Sequence, residues 1–291
     1  MGFFLCNILK HSKEFLLLKT KNLKMKKYFF LGSMSIVVFC TGCSSNDEND
    51  NTNNPNKPQI LLSKITTIYY NDPTNPQTNV ATLDYNSQRQ LIKMYSEGIT
   101  SILEYDTAGK PTKTSYYKAD GTLQHYILYT YNGEELTTTN MIYANSNYNL
   151  KTTYNYNNGK LANIAQCQSP VCSDISTTSY TSNGDNISVE TSIADGLSAP
   201  TKREYSYDNK INSYSLLNKY FRIVLGGAYA LSKNNYTSEK ISYKDSAGNW
   251  VPNQNVVYEI QYNSAQLPTQ VIGKSLSGAN YVKYNYEYIT Q

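Results

Sequence analysis

Val256-Val257-Tyr258-Glu259-Ile260-Gln261-Tyr262-Asn263 sorts its side chains by parity. Val256, Tyr258, Ile260 and Tyr262 share one face, and Val257, Glu259, Gln261 and Asn263 share the other. The same beat returns near the C-terminus, where Val282, Tyr284, Tyr286 and Tyr288 alternate with Lys283, Asn285 and Glu287. Period two marks strands with one buried and one wet face, the pattern of antiparallel sheet.

Working outward, each strand ends in a tyrosine followed by a turn and a Leu, Pro or Ile. The set includes Tyr85-Asn-Ser-Gln-Arg-Gln-Leu91, Tyr105-Asp-Thr-Ala-Gly-Lys-Pro111, Tyr131-Asn-Gly-Glu-Glu-Leu136 and Tyr156-Asn-Asn-Gly-Lys-Leu161. Tyr180 to Ile187 and Tyr262 to Leu267 extend it. The first five units start 20 to 26 residues apart, a spacing that signals a repeat architecture. Asp120-Gly121, Asn132-Gly133, Asn158-Gly159 and Asn183-Gly184 supply the positive φ that tight hairpin turns require. The chain has 29 tyrosines, all but Tyr28 beyond residue 43. The expected fold is all-β: a long antiparallel meander of hairpin repeats, forming a curved sheet or a partly closed barrel. Ile211–Tyr229 breaks the pattern. Its apolar pairs recur every four residues before Gly226-Gly227, which predicts a short amphipathic helix near 213–226 capping an open end of the sheet.

These units resemble YD repeats of the Rhs and teneurin type, most closely at Tyr105-Asp106-Thr-Ala-Gly109-Lys-Pro-Thr-Lys113 and Ala119-Asp120-Gly121-Thr-Leu123. Leu231-Ser-Lys-Asn-Asn235, Tyr262-Asn-Ser-Ala-Gln-Leu-Pro-Thr-Gln-Val271 and Tyr284-Asn-Tyr-Glu-Tyr288 are similar to an uncharacterised family of Bacteroidetes lipoprotein domains described as porin-like in fold. That resemblance implies a β fold and brings no catalytic residue. Where the family has Gly-Tyr-Pro in the last turn, this chain has Gln266-Leu267-Pro268.

The N-terminal segment predicts destination. Lys24, Lys26 and Lys27 precede an apolar run, Phe29 to Thr41, that leads through Gly42 to Cys43. The run is short for a membrane span of about 20 residues and has the order of a cleaved signal. The cysteine with Ser44-Ser45-Asn46-Asp47-Glu48 behind it resembles a bacterial lipobox, with Cys40 at the usual Leu position. The expected organisation is a signal peptide over 1–42 (starting at Met25), a lipidated disordered tether over 43–58 and one β-repeat domain over 59–291. Lipid on Cys43 implies an outer-membrane anchor, periplasmic or surface-exposed.

Of 26 basic and 22 acidic residues, seven and one precede Cys43, leaving 19 against 21 and a net charge of −2. Nucleic acid is therefore not an expected partner, since phosphate contacts need a concentrated basic face. After Cys43 there is one Phe (Phe221) and one Trp (Trp250). Strand faces built from tyrosine suit a water-soluble sheet better than a lipid-facing barrel wall. Cys167 and Cys172, around Ser169-Pro170, are expected to form a local disulfide worth less than the ~3 kcal/mol of a 15-residue loop.

Catalytic and metal chemistry find few residues. His125, in Leu123-Gln124-His125-Tyr126-Ile127, is the one histidine left after Cys43 and reads as a surface strand residue. Glu97, Glu104, Glu190, Glu204 and Glu259 are available for a carboxylate pair, but no pair stands out. No metal site, cofactor or catalytic residue is expected. The expected function is a lipid-anchored envelope protein whose sheet binds or scaffolds a glycan or an envelope protein. Tyr69, Tyr70 and Tyr116 or Tyr117 are the candidate solvent-facing contacts. The alternatives are a carboxylate-pair glycoside hydrolase and a carrier of a lipid or small hydrophobe in a β cavity.

Overall fold

The computed structural model describes residues 58–194 and 199–291. The proposed signal peptide, Cys43 and nearly all of the tether lie outside the described residues. The chain runs as sixteen strands. The first eight are β1 (Ile60–Tyr69), β2 (Gln77–Tyr85), β3 (Leu91–Ser96), β4 (Ile99–Tyr105), β5 (Pro111–Tyr117), β6 (Leu123–Asn132), β7 (Glu135–Tyr143) and β8 (Leu150–Asn157). The second eight are β9 (Lys160–Gln168), β10 (Ile175–Asn183), β11 (Asn186–Ile193), β12 (Thr201–Ile211), β13 (Asn234–Lys244), β14 (Trp250–Tyr262), β15 (Pro268–Ser275) and β16 (Asn280–Thr290).

Each strand pairs antiparallel with the next, and β1 pairs with β16, so the meander closes into a barrel. Closure removes both sheet edges, the liability of an open meander. The two-residue alternation runs continuously around it. Leu62, Ile65, Thr67 and Tyr69 on β1 face the same interior as Tyr288, Tyr286, Tyr284 and Val282, their partners on β16. Among these, Leu62 and Val282 are almost fully excluded from solvent, at 0% and 1% exposure.

The repeating tyrosine has a specific job. At one end of the barrel its ring enters the core and its hydroxyl donates to a main-chain carbonyl in the preceding hairpin. Tyr85 donates to Leu62 (2.7 Å), Tyr105 to Leu91 (2.6 Å), Tyr131 to Pro111 (2.6 Å) and Tyr156 to Leu136 (2.9 Å). Tyr207 donates to Ile187 (2.6 Å) and Tyr288 to Pro268 (2.9 Å). At Leu91, Pro111, Leu136 and Ile187 the residue after the turn is therefore both a buried side chain and the source of the carbonyl for the next tyrosine of the ladder. A buried phenol without an acceptor would cost about 1–3 kcal/mol, and the ladder removes that cost hairpin by hairpin.

Beside these tyrosines the register slips. Shifts occur at Asp84/Tyr85, Glu104/Tyr105, Thr130/Tyr131, Asn155/Tyr156 and Gln261/Tyr262. Such bulges increase local twist and coil the strand ends. Hydroxyl side chains on the return strands bond back onto carbonyl oxygens at the Thr130/Tyr131 slip and at two further slips, Thr181/Ser182 and Ser206/Tyr207: Thr137 to Thr130, Ser188 to Thr181 and Thr237 to Ser206. Gln266, in the turn that uses Gly in the similar family, takes a φ of 58°. The left-handed turn is kept here without the glycine.

The segment between β12 and β13 closes this same end. The expected short helix near 213–226 is present as α1 (Lys219–Leu225), preceded by a 3₁₀ turn (Ser213–Leu216) and followed by a five-residue turn of helix, α2 (Gly227–Leu231). Asn212 and Asn218 act as N-caps, accepting from the amides of Tyr214 and Tyr220; Gly226, at φ 62°, ends α1. The segment buries Tyr214, Leu217, Phe221, Leu225, Ala228 and Tyr229 in one cluster with strand residues from around the barrel. Its polar contacts reach widely separated turns and strands. Ser213 meets the Tyr288 hydroxyl (2.8 Å), Asn218 donates to the Gly109 carbonyl (3.4 Å), and Tyr220 and Lys219 both reach Glu134 (2.8 and 2.9 Å). Tyr180 breaks the carbonyl ladder, its hydroxyl accepting from the Gly227 amide.

Tyr131→Phe, which strands the Pro111 carbonyl, is expected to lower stability by about 1 kcal/mol or more. Tyr95→Phe, on the exposed outer wall, should stay within about 0.5 kcal/mol of the parent. Urea unfolding of both variants measures the difference; equal losses would contradict the ladder.

Candidate functional site

Register shifts decide which charges enter the barrel. On β11 the slip at Thr181/Ser182 puts Ile187 and Glu190 on the inward face, with Glu190 opposite Arg203 of β12. Glu239 on β13 shares the inward phase of Ile241 and sits opposite Tyr205. The Arg203 guanidinium ion-pairs with one Glu239 oxygen at 2.5 Å, and the Tyr258 hydroxyl donates to the other at 3.0 Å. Glu190 accepts from the Ala228 amide of α2 at 3.2 Å. Burial raises the Glu190 carboxyl above its ordinary value, with Arg203 opposing and Glu239 adding. Glu239 has no solvent exposure, so this cluster is an interior clamp between β11, β12, β13 and the helical segment. Close backbone approach completes its packing, since a Cβ on Gly273 would sit 2.5 Å from the Tyr258 ring.

The carboxylates named from sequence divide by face. Glu104, Glu204 and Glu259 lie on the outer wall, paired with Lys113 (3.2 Å), Lys202 (3.0 Å) and Lys274 (2.6 Å). Glu97 sits in the β3–β4 turn, where its side chain accepts from Asn79. Glu190 is the one that enters the interior, and its partner there, Glu239, was not singled out. The signal was available: Glu239 falls two residues before Ile241, in the apolar phase of its strand.

Tyrosine placement corrects the sequence expectation. Tyr69 and Tyr116 are buried, not solvent-facing, while Tyr70 and Tyr117 are half-buried. The exposed aromatic surface lies instead on the outer wall of β3 to β7. Cross-strand neighbours Ile102, Ser115, Tyr126 and Ile142 form one row there, flanked by Tyr95, Tyr117 and Leu128. Tyr95 is 45% exposed and Ile102 41%, whereas Ser115 beneath the row is only 2% exposed. Lys113 stands 5.6 Å from the Tyr126 ring centroid. Amphipathic rings around an aliphatic strip make a surface suited to stacking and shape-based contact.

His125 is also corrected. It is 2% exposed, not a surface residue. It shares the inward phase of Ile127, two residues on, and pairs with Tyr116. Its ring stacks between Tyr116 (4.3 Å between centroids) and Tyr143 (4.8 Å). Neither ring nitrogen has a hydrogen-bond partner in the protein. Burial pushes its pKa from 6.5 down to about 4.

Cys167 and Cys172 are joined by a disulfide across the β9–β10 turn, with an S–S distance of 2.00 Å. Among the described residues, no group of three or more His, Cys, Asp or Glu side chains lies close enough to hold a metal ion. No helix among them is long and apolar enough to cross a membrane.

The buried, neutral His125 makes stability pH-dependent in a defined window. The unfolded chain takes up its proton near pH 6.5 and the folded chain only near pH 4, so its contribution is full above 6.5 and lost as pH falls toward 4. The loss is roughly 3 kcal/mol at most. Urea midpoints from pH 7 to pH 4.5 should fall for the parent and fall less for His125→Phe; parallel curves would refute the assignment.

No family model matches this sequence, and no curated protein matches it. Likeness appears at the level of structure. A porin-like protein from Bacteroides uniformis aligns at a TM-score of 0.53 and 16% identity, covering 78% of this chain and 96% of that one. A porin-like protein from Bacteroides vulgatus aligns at 0.45 and 12%, covering 79% and 99%. The Photorhabdus luminescens Tc holotoxin pore aligns over 70% of this chain and 9% of that one, at 0.30 and 13%. The first shows that this chain has the same kind of β-barrel fold.

Proposed function

We propose that the protein is a lipid-anchored component of the bacterial cell envelope, held by acyl chains on Cys43, whose barrel stands in water and presents its outer wall for binding or scaffolding. The observation that carries this reading is the chemistry of that wall. Ion pairs Lys64–Glu287 (2.7 Å), Lys113–Glu104 and Lys274–Glu259 lie on outward strand positions at several points around the ring. A lipid-spanning barrel carries an apolar band there, and each lysine at mid-bilayer would cost about 2–4 kcal/mol.

The interior favours a structural role over a channel or an enzyme. Inward tyrosines such as Tyr154, Tyr236, Tyr284 and Tyr286 are buried, and the helical segment covers one end. Glu190 and Glu239 share the interior, but both Glu239 oxygens are held, one by Arg203 and one by Tyr258. The reading therefore assigns no catalysis. The outer wall around Tyr95, Ile102 and Tyr126 is its contact surface, and a glycan or envelope protein is its partner.

Cys43→Ala should move the protein from the membrane pellet into the soluble fraction, while the parent carries acyl chains on Cys43 by mass spectrometry. A Cys43→Ala protein that still resists alkaline carbonate extraction would show the barrel itself embedded, and would end this reading.

A further inference from the structure

The two ends of the barrel differ in charge. Among the described residues, the connections at the end covered by the helical segment carry Arg89, Lys110, Lys219, Arg222 and Lys233 against Asp106, Glu134 and Asp185. Those at the opposite end carry Lys118 alone against Asp72, Glu97, Asp120, Asp174 and Asp245. The cap is basic and the far rim acidic. Within the cap, lysines gather around shared carboxylates. Glu134 lies between Lys110 (2.5 Å) and Lys219 (2.9 Å), and Asp185 between Lys233 (3.2 Å) and Lys160 at the start of β9 (4.0 Å). Each group keeps one positive charge in excess, and its outer side chains stand in water: Lys160 is 54% exposed, Lys219 and Lys233 58%. Arg222 adds a charge beneath them, donating to the Ala230 and Leu231 carbonyls (2.6 and 3.0 Å).

The chain enters the barrel at this same end. Gln59 and Gln291 exchange main-chain hydrogen bonds (2.9 and 3.1 Å), and the Gln291 side chain donates to the Asn86 carbonyl in the β2–β3 turn (2.8 Å). Pro58 follows Cys43 by 15 residues, a stretch that spans about 50 Å at most. We propose that the capped end is a docking face for a lipid surface bearing anionic phosphate headgroups, so that the barrel stands on its helical segment with the acidic rim away from the bilayer. The proposal rests on the Cys43 anchor of the reading above and assigns the face that meets the membrane. A tether of this length lets either end approach the lipid, and the charge asymmetry selects one. Basic side chains near an anionic surface are attracted within a Debye length of ~8 Å, and carboxylates are repelled over the same distance. The upright pose also leaves the outer-wall row of Tyr95, Ile102 and Tyr126 clear of the membrane.

The experiment acetylates the lysines of the lipidated protein with a membrane-impermeant reagent and maps them by mass spectrometry. It compares phosphatidylcholine vesicles with vesicles containing about one third phosphatidylglycerol. Flotation with the phosphatidylcholine vesicles reports the anchor by itself, so a failure of anchoring is distinguished from a failure of docking. Lys160, Lys219 and Lys233 should react about threefold or more slowly on the anionic vesicles, and high salt should restore their rates. Lys118 and Lys244, at the far rim, should react equally on both. Lys219→Glu combined with Lys233→Glu should abolish the protection of Lys160 while flotation is unchanged. Equal rates on the two vesicles, protection of Lys118 and Lys244 instead, or protection of Lys160 that survives in the double variant overturns the docking face. Protection by inorganic phosphate without vesicles also overturns it, since the site would then serve a free anion.

Discussion

A phenol buried in a barrel costs about 1–3 kcal/mol unless its hydroxyl is paired, and along the ladder here the acceptor is a main-chain carbonyl in the preceding hairpin. That bond, made by Tyr85, Tyr105, Tyr131, Tyr156, Tyr207 and Tyr288, ties strand ends to the unit before them at six places. It reaches the seam as well, because Leu62 is the register partner of Tyr288. The ladder is interrupted at Tyr180, which accepts from the Gly227 amide, and at Tyr262, which bonds to Asp208. The tyrosine count, the bulges beside the tyrosines and the covered end all follow from putting polar-tipped rings where a barrel would ordinarily put aliphatic side chains.

The helical segment fits the same constraint. Where β12 turns toward β13 no tight hairpin forms, and the polar ends around that gap find other partners. Tyr180 bonds to the Gly227 amide, Tyr262 reaches Asp208 at 3.1 Å, and Ser213 meets Tyr288. Asp208 is held by two contacts from Asn235 at 2.7 Å. The segment is thus bonded into the ladder at several points rather than resting on it, and α2 is attached directly to the buried carboxylate of Glu190.

Much of this was legible in the sequence. Period two in Val256–Asn263 gave the strands, Tyr-turn-Leu gave the hairpins, and the fourfold spacing after Ile211 located the helical segment. Closure was not legible, because whether β1 meets β16 depends on accumulated twist and on the bulges. The bulges explain some of the misplaced residues. A slip carried Glu190 into the inward phase of Ile187, and another puts Tyr116 out of step with Pro111. His125 and Tyr69 follow plain alternation with Ile127 and with Ile65 and Thr67, so their inward phase was legible in the sequence. The helix there ends at Gly226, where Gly226-Gly227 placed its stop, and α2 beyond it carried no separate signal. The outer-wall row of Ile102, Ser115, Tyr126 and Ile142 required the register of three strand pairs, which no local pattern contains.

The central claim is that the tyrosine-rich face is dry and the charged face wet. Tyrosine iodination of the protein in its native membranes, mapped by mass spectrometry, tests it most directly. Tyr95, Tyr117 and Tyr126 should be modified, and Tyr154, Tyr236, Tyr284 and Tyr286 should be protected until the protein is unfolded. Protection of the first group with labelling of the second would mean a lipid-facing wall around a wet lumen, and would contradict the account.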